Sequence, residues 1–224
     1  YLNTGDGGVS AWGNLDRQRP KIDIIKKCGF GDTPIIADEW GASSMGFFNK
    51  DECKFLMFRE TEINAAYFVR FIYFLIRSGL NIKNLLICLS GQHEMTSDFT
   101  GFRNFFTLNF FAKPIYNAYV LAGKLYDGLL GAACDNKKIY TVPTKDKNGN
   151  MAVLISYSEQ RFEEDIEDLS ETLMLDENII GKKVTVWCID KDTTNPYSKW
   201  KKLGEPNMTS EIIKVLREES KLKP

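Results

Sequence analysis

The sequence contains little of what metal sites and disulfide frameworks require. Its 224 residues include one histidine, His93, which excludes a metal centre built from several histidines within this chain. The five cysteines lie far apart and form no CxxC pair, which argues against a zinc site and against a disulfide framework. Carboxylates alone can still bind a metal ion, but we expect neither a metal nor another cofactor.

The sequence also lacks an excess of charge of either sign and a long hydrophobic run. Its 29 basic and 30 acidic residues give a net charge of -1, without a basic stripe, so nucleic acid is not expected as a partner. The longest apolar stretch, residues 65–76, is interrupted by Arg70 and is shorter than the about 20 residues that span a membrane. We therefore expect no membrane partner. A small neutral ligand fits this composition better.

The first 130 residues alternate between helical and strand-like patterns. Four elements are predicted before residue 91: a helix over about residues 10–27, a strand over 34–40, a long helix over 51–77 and a buried strand over 84–90. Strand, helix and strand in this order are typical of a parallel unit. A phenylalanine-rich loop follows at 91–112, and its length indicates a functional role. Pro114 then favours the start of another helix.

The pattern changes near residue 130. Short strand-like runs, "KKIYTVPT", "MAVLISYS" and "KKVTVWCID", are separated by turn residues and by an acidic stretch over 159–171. We therefore predict two domains, an α/β domain over residues 1–130 and a β-rich domain over residues 131–224. Thr209 or Ser210 is expected to cap a final helix.

Two acids stand at the end of the first predicted strand, in the run "IIADEW" at residues 35–40. In parallel βα folds, functional groups collect at the carboxyl ends of the strands. Because side chains alternate along a strand, Asp38 and Glu39 cannot face one ligand together unless the backbone is locally distorted. We predict that one acid is catalytic and the other structural. Such a pair can equally cap a turn or bind an arginine, and a loop role is equally open for His93 beside Glu94.

Three segments occur in an order that resembles one enzyme family. They are "TPIIADEWG", "TGFRNFFTLNFFAKPIYNAYVLAGKL" and "VWCIDKDTTNPYSKWKKLGEPNMTSEIIKVLREES". Together they resemble the C-terminal part of glycoside hydrolase family 39, the β-xylosidase and α-L-iduronidase family. The resemblance implies an α/β plus β fold, in which the C-terminal part of a (β/α)8 TIM barrel is followed by a β-sandwich domain.

The resemblance also implies roles for individual residues. Glu39 matches the nucleophile of the family, at the end of barrel strand seven. Glu94 follows strand eight, where the xylosidases place an aromatic residue and two acids against the sugar, and His93 departs from that group. Trp40 and Tyr1 are further candidates for substrate binding, Tyr1 as the last residue of a His-x-Tyr element. The implied function is a retaining, β-xylosidase-like hydrolase that acts on a glycoside or oligosaccharide.

One part of that machinery has no match in the sequence. A retaining glycosidase needs a second carboxyl group about 5 Å from the nucleophile, and the family supplies it from a strand-end Asn-Glu pair that does not occur here. No methionine precedes Tyr1, so we expect upstream sequence and a chain that is inactive by itself. It could self-associate or pair with the missing barrel segment. Two alternatives stay open: a non-catalytic carbohydrate-binding or assembly module, and another glycosidase such as an α-L-iduronidase, with Arg103 near the uronate.

Overall fold

The computed structural model describes residues 2–3, 11–43, 48–87, 94–158, 168–175 and 181–224, and at 2–3, 11–17, 37–40 and 83–87 it describes the backbone only. The strands among these residues are β1 (Leu2–Asn3), β2 (Ile35–Gly41), β3 (Ile82–Ile87), β4 (Gly128–Leu129), β5 (Ile139–Lys145) and β6 (Met151–Tyr157). The α-helices are α1 (Ala11–Ile25), α2 (Glu62–Arg77), α3 (Pro114–Ala122), α4 (Pro196–Lys202) and α5 (Ser210–Glu219). A π-helical segment, Lys26–Phe30, continues α1, and a 3-10 helix, Lys54–Glu60, precedes α2.

The first three strands form a parallel sheet with β2 in the centre. α2 connects β2 to β3, so the predicted parallel strand–helix–strand unit is confirmed. Because parallel strands point the same way, their carboxyl ends lie at one edge of the sheet, which we call the strand-end edge. The described chain continues from this edge as the β2 loop (residues 48–53) and the β3 loop (residues 94–112).

The prediction of a single long helix over residues 51–77 is wrong. The chain instead forms the 3-10 helix and α2, separated at Thr61, whose φ of -108° and ψ of 168° are extended. The Thr61 hydroxyl and amide both donate hydrogen bonds to the Phe58 carbonyl, at 2.8 and 3.1 Å. Threonine side chains that bond to the backbone compete with helix continuation. The break leaves Glu60 at the end of the first helix, where it is buried.

The second sheet is antiparallel and consists of β4, β5 and β6. β5 and β6 pair along their whole length, which confirms the strands predicted from "KKIYTVPT" and "MAVLISYS". In the turn between them, the Asp146 carboxylate accepts hydrogen bonds from the amides of Asn148 and Asn150, both at 2.8 Å. These local bonds fix the hairpin turn.

The strand predicted in "KKVTVWCID" is wrong, since residues 181–189 form no strand. Val184 and Val186 are exposed, so the alternating valines have no buried face. Strand formation depends on packing against a neighbouring strand. No described strand pairs with this segment.

The main hydrophobic core lies around α2, which packs between α3 and the β5–β6 hairpin. Its buried side chains come from both parts of the chain and include Leu56, Tyr67, Phe68, Phe71, Ile115, Ala118, Val142 and Leu154. The Ser156 hydroxyl donates a hydrogen bond to the Ala66 carbonyl at 3.0 Å, from the hairpin to α2. The hairpin therefore shares one core with α2 and α3.

The predicted C-terminal helix is confirmed as α5. The Thr209 side chain caps it by accepting a hydrogen bond from the Ile212 amide. Leu216 of α5 is buried against Phe99 and Phe111 of the β3 loop, in a second hydrophobic cluster. Of the helices in the described part of the chain, none is long and apolar enough to cross a membrane.

Candidate active site

β2 brings the predicted catalytic acid to the strand-end edge. Trp40, the residue after Glu39, pairs with Leu2 of β1 and with Ile87, the last residue of β3. The backbone of Glu39 therefore lies in the central strand, between its two neighbours, where parallel sheets collect their ligand sites.

The pairing of β2 with β3 is irregular at two points, between Ile35 and Ile36 and across the two acids. Ala37 pairs with Leu85 and Trp40 with Ile87, so three steps along β2 match two steps along β3. β2 therefore has one extra residue at Asp38–Glu39, which is the arrangement of a β-bulge. The regular alternation of side chains stops at a bulge. The backbone distortion on which the sequence argument depends is thus present at Asp38–Glu39.

The other predicted site residues differ in how far the structure describes them. Tyr1 and His93 lie outside the described residues, and Trp40 is described by its backbone within β2. Glu94 is described in full, at the start of the β3 loop. Within the described part of the chain, no three His, Cys, Asp or Glu side chains are placed to hold a metal ion.

Glu94 is buried, with 2% of its surface exposed. Its Oε1 accepts three hydrogen bonds: from the Thr100 amide at 3.0 Å, from the Thr100 hydroxyl at 2.7 Å and from Lys113 Nζ at 2.9 Å. Its Oε2 has no hydrogen-bond partner among the described residues. One carboxylate oxygen is therefore fully used by the fold and the other is not.

Lys113 joins Glu94 to a second buried acid, Glu60. Lys113 Nζ lies 2.6 Å from Glu60 Oε1 and 2.9 Å from Glu94 Oε1, and neither the ammonium nor the carboxyl groups reach solvent. The Gly101 amide also donates to Glu60 Oε1, at 2.8 Å. We call Glu60, Glu94 and Lys113 the buried charge cluster. It joins the 3-10 helix, the β3 loop and the start of α3.

The environment shifts the pKa values of the two acids in opposite directions. Burial raises the pKa of Glu60 to about 8, against the attraction of Lys113 and with the repulsion of Glu94. Burial acts in the same sense on Glu94, but the charge of Lys113 and the hydrogen bonds from Lys113 and Thr100 outweigh it and lower the pKa of Glu94. The environment therefore favours the protonated form of Glu60 and the ionised form of Glu94.

Two further cations connect the β2 loop to the β3 loop. The Lys50 amide donates to the Thr100 carbonyl at 2.7 Å, and Lys50 Nζ donates to the Phe99 carbonyl at 3.3 Å. The Arg59 guanidinium donates to the carbonyls of Phe48 and Gly101, at 3.2 and 3.1 Å. The segments that leave β2 and β3 are thus bonded to each other beside the buried charge cluster.

Sequence reasoning missed Glu60 and Lys113. Each is a charged residue within an apolar stretch, "FLMFRE" and "NFFAKPIYNAY". Charged side chains are rarely buried unless they are paired, so this context was a usable signal. The partners could not be assigned, because Glu60 and Lys113 are 53 positions apart.

The comparison with protein families tests the resemblance found in the sequence. The model of the family described as glycosyl hydrolases family 39 matches residues 13–224. The chain belongs to glycosyl hydrolases family 39. The resemblance found in the sequence is thereby confirmed. Among curated protein sequences, none matches this family 39 chain.

Solved structures of family 39 enzymes share the fold. A monomeric β-xylosidase from Caulobacter crescentus CB15 has a TM-score of 0.63 and 14% identity, over 98% of this chain and 44% of that one. A family 39 β-xylosidase from Caulobacter crescentus has a TM-score of 0.62 and 17% identity, with 99% and 44% covered. A family 39 enzyme from Xanthomonas axonopodis pv. citri has a TM-score of 0.60 and 14% identity, with 94% and 42% covered. The chain thus spans less than half the length of these enzymes, and the mixed helix–sheet fold matches part of theirs.

Proposed function

We propose that this family 39 chain is part of a retaining glycoside hydrolase of the β-xylosidase type, with Glu39 as its nucleophile. The observation that carries the proposal is the extra residue at Asp38–Glu39, at the carboxyl end of the central parallel strand. Bulges are frequent next to active sites, where they re-aim a side chain. The β-xylosidases that share this fold support a xyloside as substrate.

The fold assignment forms part of the same proposal. The parallel strands and their helices correspond to the C-terminal units of a (β/α)8 barrel, over residues 1–130. The antiparallel strands β5 and β6 belong to a β-sandwich domain, over residues 131–224. The carboxyl ends of barrel strands are where such enzymes hold their catalytic groups, which agrees with the position of Glu39 in β2.

The mechanism is a double displacement. The Glu39 carboxylate attacks the anomeric carbon, the bond to the leaving oxygen breaks, and a second carboxyl group protonates that oxygen. Water then hydrolyses the glycosyl ester, and the second group accepts the proton that the water loses. No Asn-Glu strand end in this sequence matches the second group, so we assign it to another part of the barrel.

Four residues complete the proposed sugar site. Trp40 adjoins the nucleophile, and Tyr1, His93 and Glu94 follow from the family resemblance. Glu94 is buried in the structure: its Oε1 is occupied by Thr100 and Lys113, and its Oε2 has no hydrogen-bond partner among the described residues. A sugar hydroxyl would have to displace the groups that cover Oε2 in order to bond to it.

The test uses 2-deoxy-2-fluoro-β-D-xylosyl fluoride, whose leaving group departs without protonation. The Glu39 oxygen forms an ester with C1 as the C1–F bond breaks and fluoride is released, so the second carboxyl group is not needed. We expect mass spectrometry to find the sugar on the peptide that contains residues 35–41. Glu39→Gln should abolish this label, and Asp38→Asn, the matched control, should retain it.

Other outcomes of this test have defined meanings. A label that survives Glu39→Gln contradicts the assignment of the nucleophile. Sugar binding without any label favours the non-catalytic carbohydrate-binding module. Hydrolysis of an aryl β-xyloside by the 224-residue chain, abolished by Glu39→Gln, would place the acid within this sequence.

A uronic acid glycoside is the second candidate substrate. Burial, and then the charge of Arg103 in the β3 loop, lower the pKa of Arg59 to about 10. Arginines bind carboxylates through paired hydrogen bonds. Faster labelling by an α-L-iduronosyl fluoride than by the xylosyl fluoride, with that advantage lost in Arg103→Gln, would favour this candidate.

A further inference from the structure

The buried charge cluster lies at the junction of three segments. Glu60 ends the 3-10 helix, Glu94 begins the described β3 loop, and Lys113 is the residue before α3. All three side chains are almost completely removed from solvent. The proposed mechanism uses neither Glu60 nor Lys113, although both are ionisable and buried.

Each hydrogen of the Lys113 ammonium has an acceptor. Nζ donates to Glu60 Oε1 at 2.6 Å, to Glu94 Oε1 at 2.9 Å and to the Phe102 carbonyl at 2.9 Å. An ammonium group has three donors, so the group is saturated and its direction is fixed. The Lys113 amide also bonds to the Phe105 carbonyl, at 2.9 Å. Three residues of the β3 loop, Glu94, Phe102 and Phe105, thus bond to Lys113.

The two carboxyl groups of the cluster share one ammonium. Burial and the repulsion of Glu94 favour the protonated form of Glu60, in which the two acids carry one negative charge against the Lys113 ammonium. Glu60 also acts electrostatically on the Arg59 guanidinium and on the Tyr197 hydroxyl, and Arg103 acts on Arg59. An unbalanced charge at this depth is strongly unfavourable.

The cluster controls the position of backbone groups as well as side chains. Glu94 Oε1 accepts the Thr100 amide, and Glu60 Oε1 accepts the Gly101 amide. The carbonyls of Thr100 and Gly101 accept hydrogen bonds from Lys50 and Arg59, and these bonds connect the two residues to the β2 loop. The acids therefore fix the part of the β3 loop to which the β2 loop is attached.

We propose that Glu60 and Lys113 are positioning residues, which hold Glu94 and residues 94–102 in the geometry that the sugar site requires at the strand-end edge. The proposal rests on the proposed function for the nature of the ligand. Neither residue touches the sugar. Both act through the bonds to Glu94, Thr100 and Gly101 given above.

The test compares Lys113→Met with Val142→Ala in amide hydrogen exchange and in labelling by the xylosyl fluoride. Val142 is fully buried in β5 and belongs to neither the buried charge cluster nor the β3 loop, so it controls for a general loss of stability. We expect Lys113→Met to speed exchange at Thr100 and Gly101 by about tenfold or more, the effect of losing a buried hydrogen bond to a charged group. Exchange in β5 and β6 should stay unchanged, and half-maximal labelling should need about tenfold more probe.

A second variant keeps the proposal testable if Lys113→Met does not fold. Glu60→Gln has the shape of the protonated acid, so it should retain slow exchange and efficient labelling at pH 7. In the wild type, exchange at Gly101 should accelerate beyond its intrinsic pH dependence as the pH rises past about 8, where Glu60 loses its proton. Glu60→Gln should not show this extra step.

The outcomes separate this proposal from the proposed function. If the wild type is not labelled, the hydrolase assignment fails, while the exchange data still decide whether the cluster holds the loop. Uniform acceleration across the chain in Lys113→Met, as in Val142→Ala, overturns the positioning role. The same pH step in wild type and Glu60→Gln overturns it as well.

Discussion

At the scale of single residues, Glu60 should make the stability of the protein depend on pH. Burial raises its pKa from 4.5 in the unfolded chain to about 8 in the folded one. The folded state therefore binds the extra proton, and the stabilisation present below pH 4.5 is lost as the pH rises towards 8. The pKa of Glu94 is lowered, so its contribution is lost as the pH falls below about 4.5, outside this window.

Urea unfolding between pH 5 and 8 measures this dependence. We expect the free energy of unfolding to fall by up to about 1.4 kcal/mol per pH unit in the wild type. Glu60→Gln, which cannot titrate, should give a flatter profile. Identical profiles for the two proteins would show that Glu60 is ionised in the folded state.

At the scale of elements, the β3 loop depends on a glycine at its contact with the 3-10 helix. Gly101 has a φ of +75°, and a Cβ there would lie 3.0 Å from the Leu56 carbonyl oxygen. Gly79, after α2, has a φ of +68° with nothing within 4 Å of a Cβ. Both glycines have a left-handed backbone, but only at Gly101 would a Cβ approach another backbone atom closely.

We predict that alanine costs more stability at Gly101 than at Gly79. Gly79→Ala should cost about 1–2 kcal/mol for the left-handed conformation. Gly101→Ala should cost an additional about 1–3 kcal/mol, because the Leu56 backbone has to move. Denaturant unfolding of both variants measures the difference, and equal losses would contradict the close approach.

At the scale of the whole molecule, α4 and α5 pack against the aromatic side chains of the β3 loop. The ring of Phe99 lies 5.2 Å from that of Trp200 in α4 and 5.9 Å from that of Phe111. Leu216 of α5 is fully buried in the same cluster, and the Asn117 side chain bonds to the Ser220 carbonyl at 2.9 Å. The end of the chain thus supports a loop about 100 residues earlier.

Leu216→Ala should therefore destabilise the protein by about 2–5 kcal/mol, because it leaves a cavity beside Phe99. Val215→Ala, at the exposed neighbouring position of α5, should change stability by less than about 0.5 kcal/mol. Thermal unfolding compares the two. Equal melting temperatures would show that α5 does not support the loop.

The parallel sheet leads to a prediction about association. Ile36 lies in the central strand and is 57% exposed, although parallel sheets are normally covered on both faces. We predict that the 224-residue chain self-associates through this face. Sedimentation velocity over a range of concentrations should detect it, with Ile36→Lys weakening association more than Ile155→Lys in β6. A monodisperse monomer at all concentrations would contradict the prediction.

Prediction from sequence succeeded where structure depends on neighbours along the chain. The helical period, the strand alternation of "MAVLISYS" and the Thr209 cap are local features, and each of the corresponding elements is present. It failed at Thr61, where a side chain to backbone bond competes with the helix, and in residues 182–190, which none of the described strands pairs with. Both failures concern competition or pairing that a pattern does not contain.

The sequence by itself determined the family, the alternation of strands and helices, and the position of the acids Asp38 and Glu39 at the end of a strand. The tertiary structure decided the extra residue at Asp38–Glu39, since a register exists only between paired strands. It also decided the buried charge cluster, because Glu60, Glu94 and Lys113 meet only after α2 and the β3 loop have returned the chain to the same place. Contacts between distant positions depend on topology and burial, which local patterns do not encode.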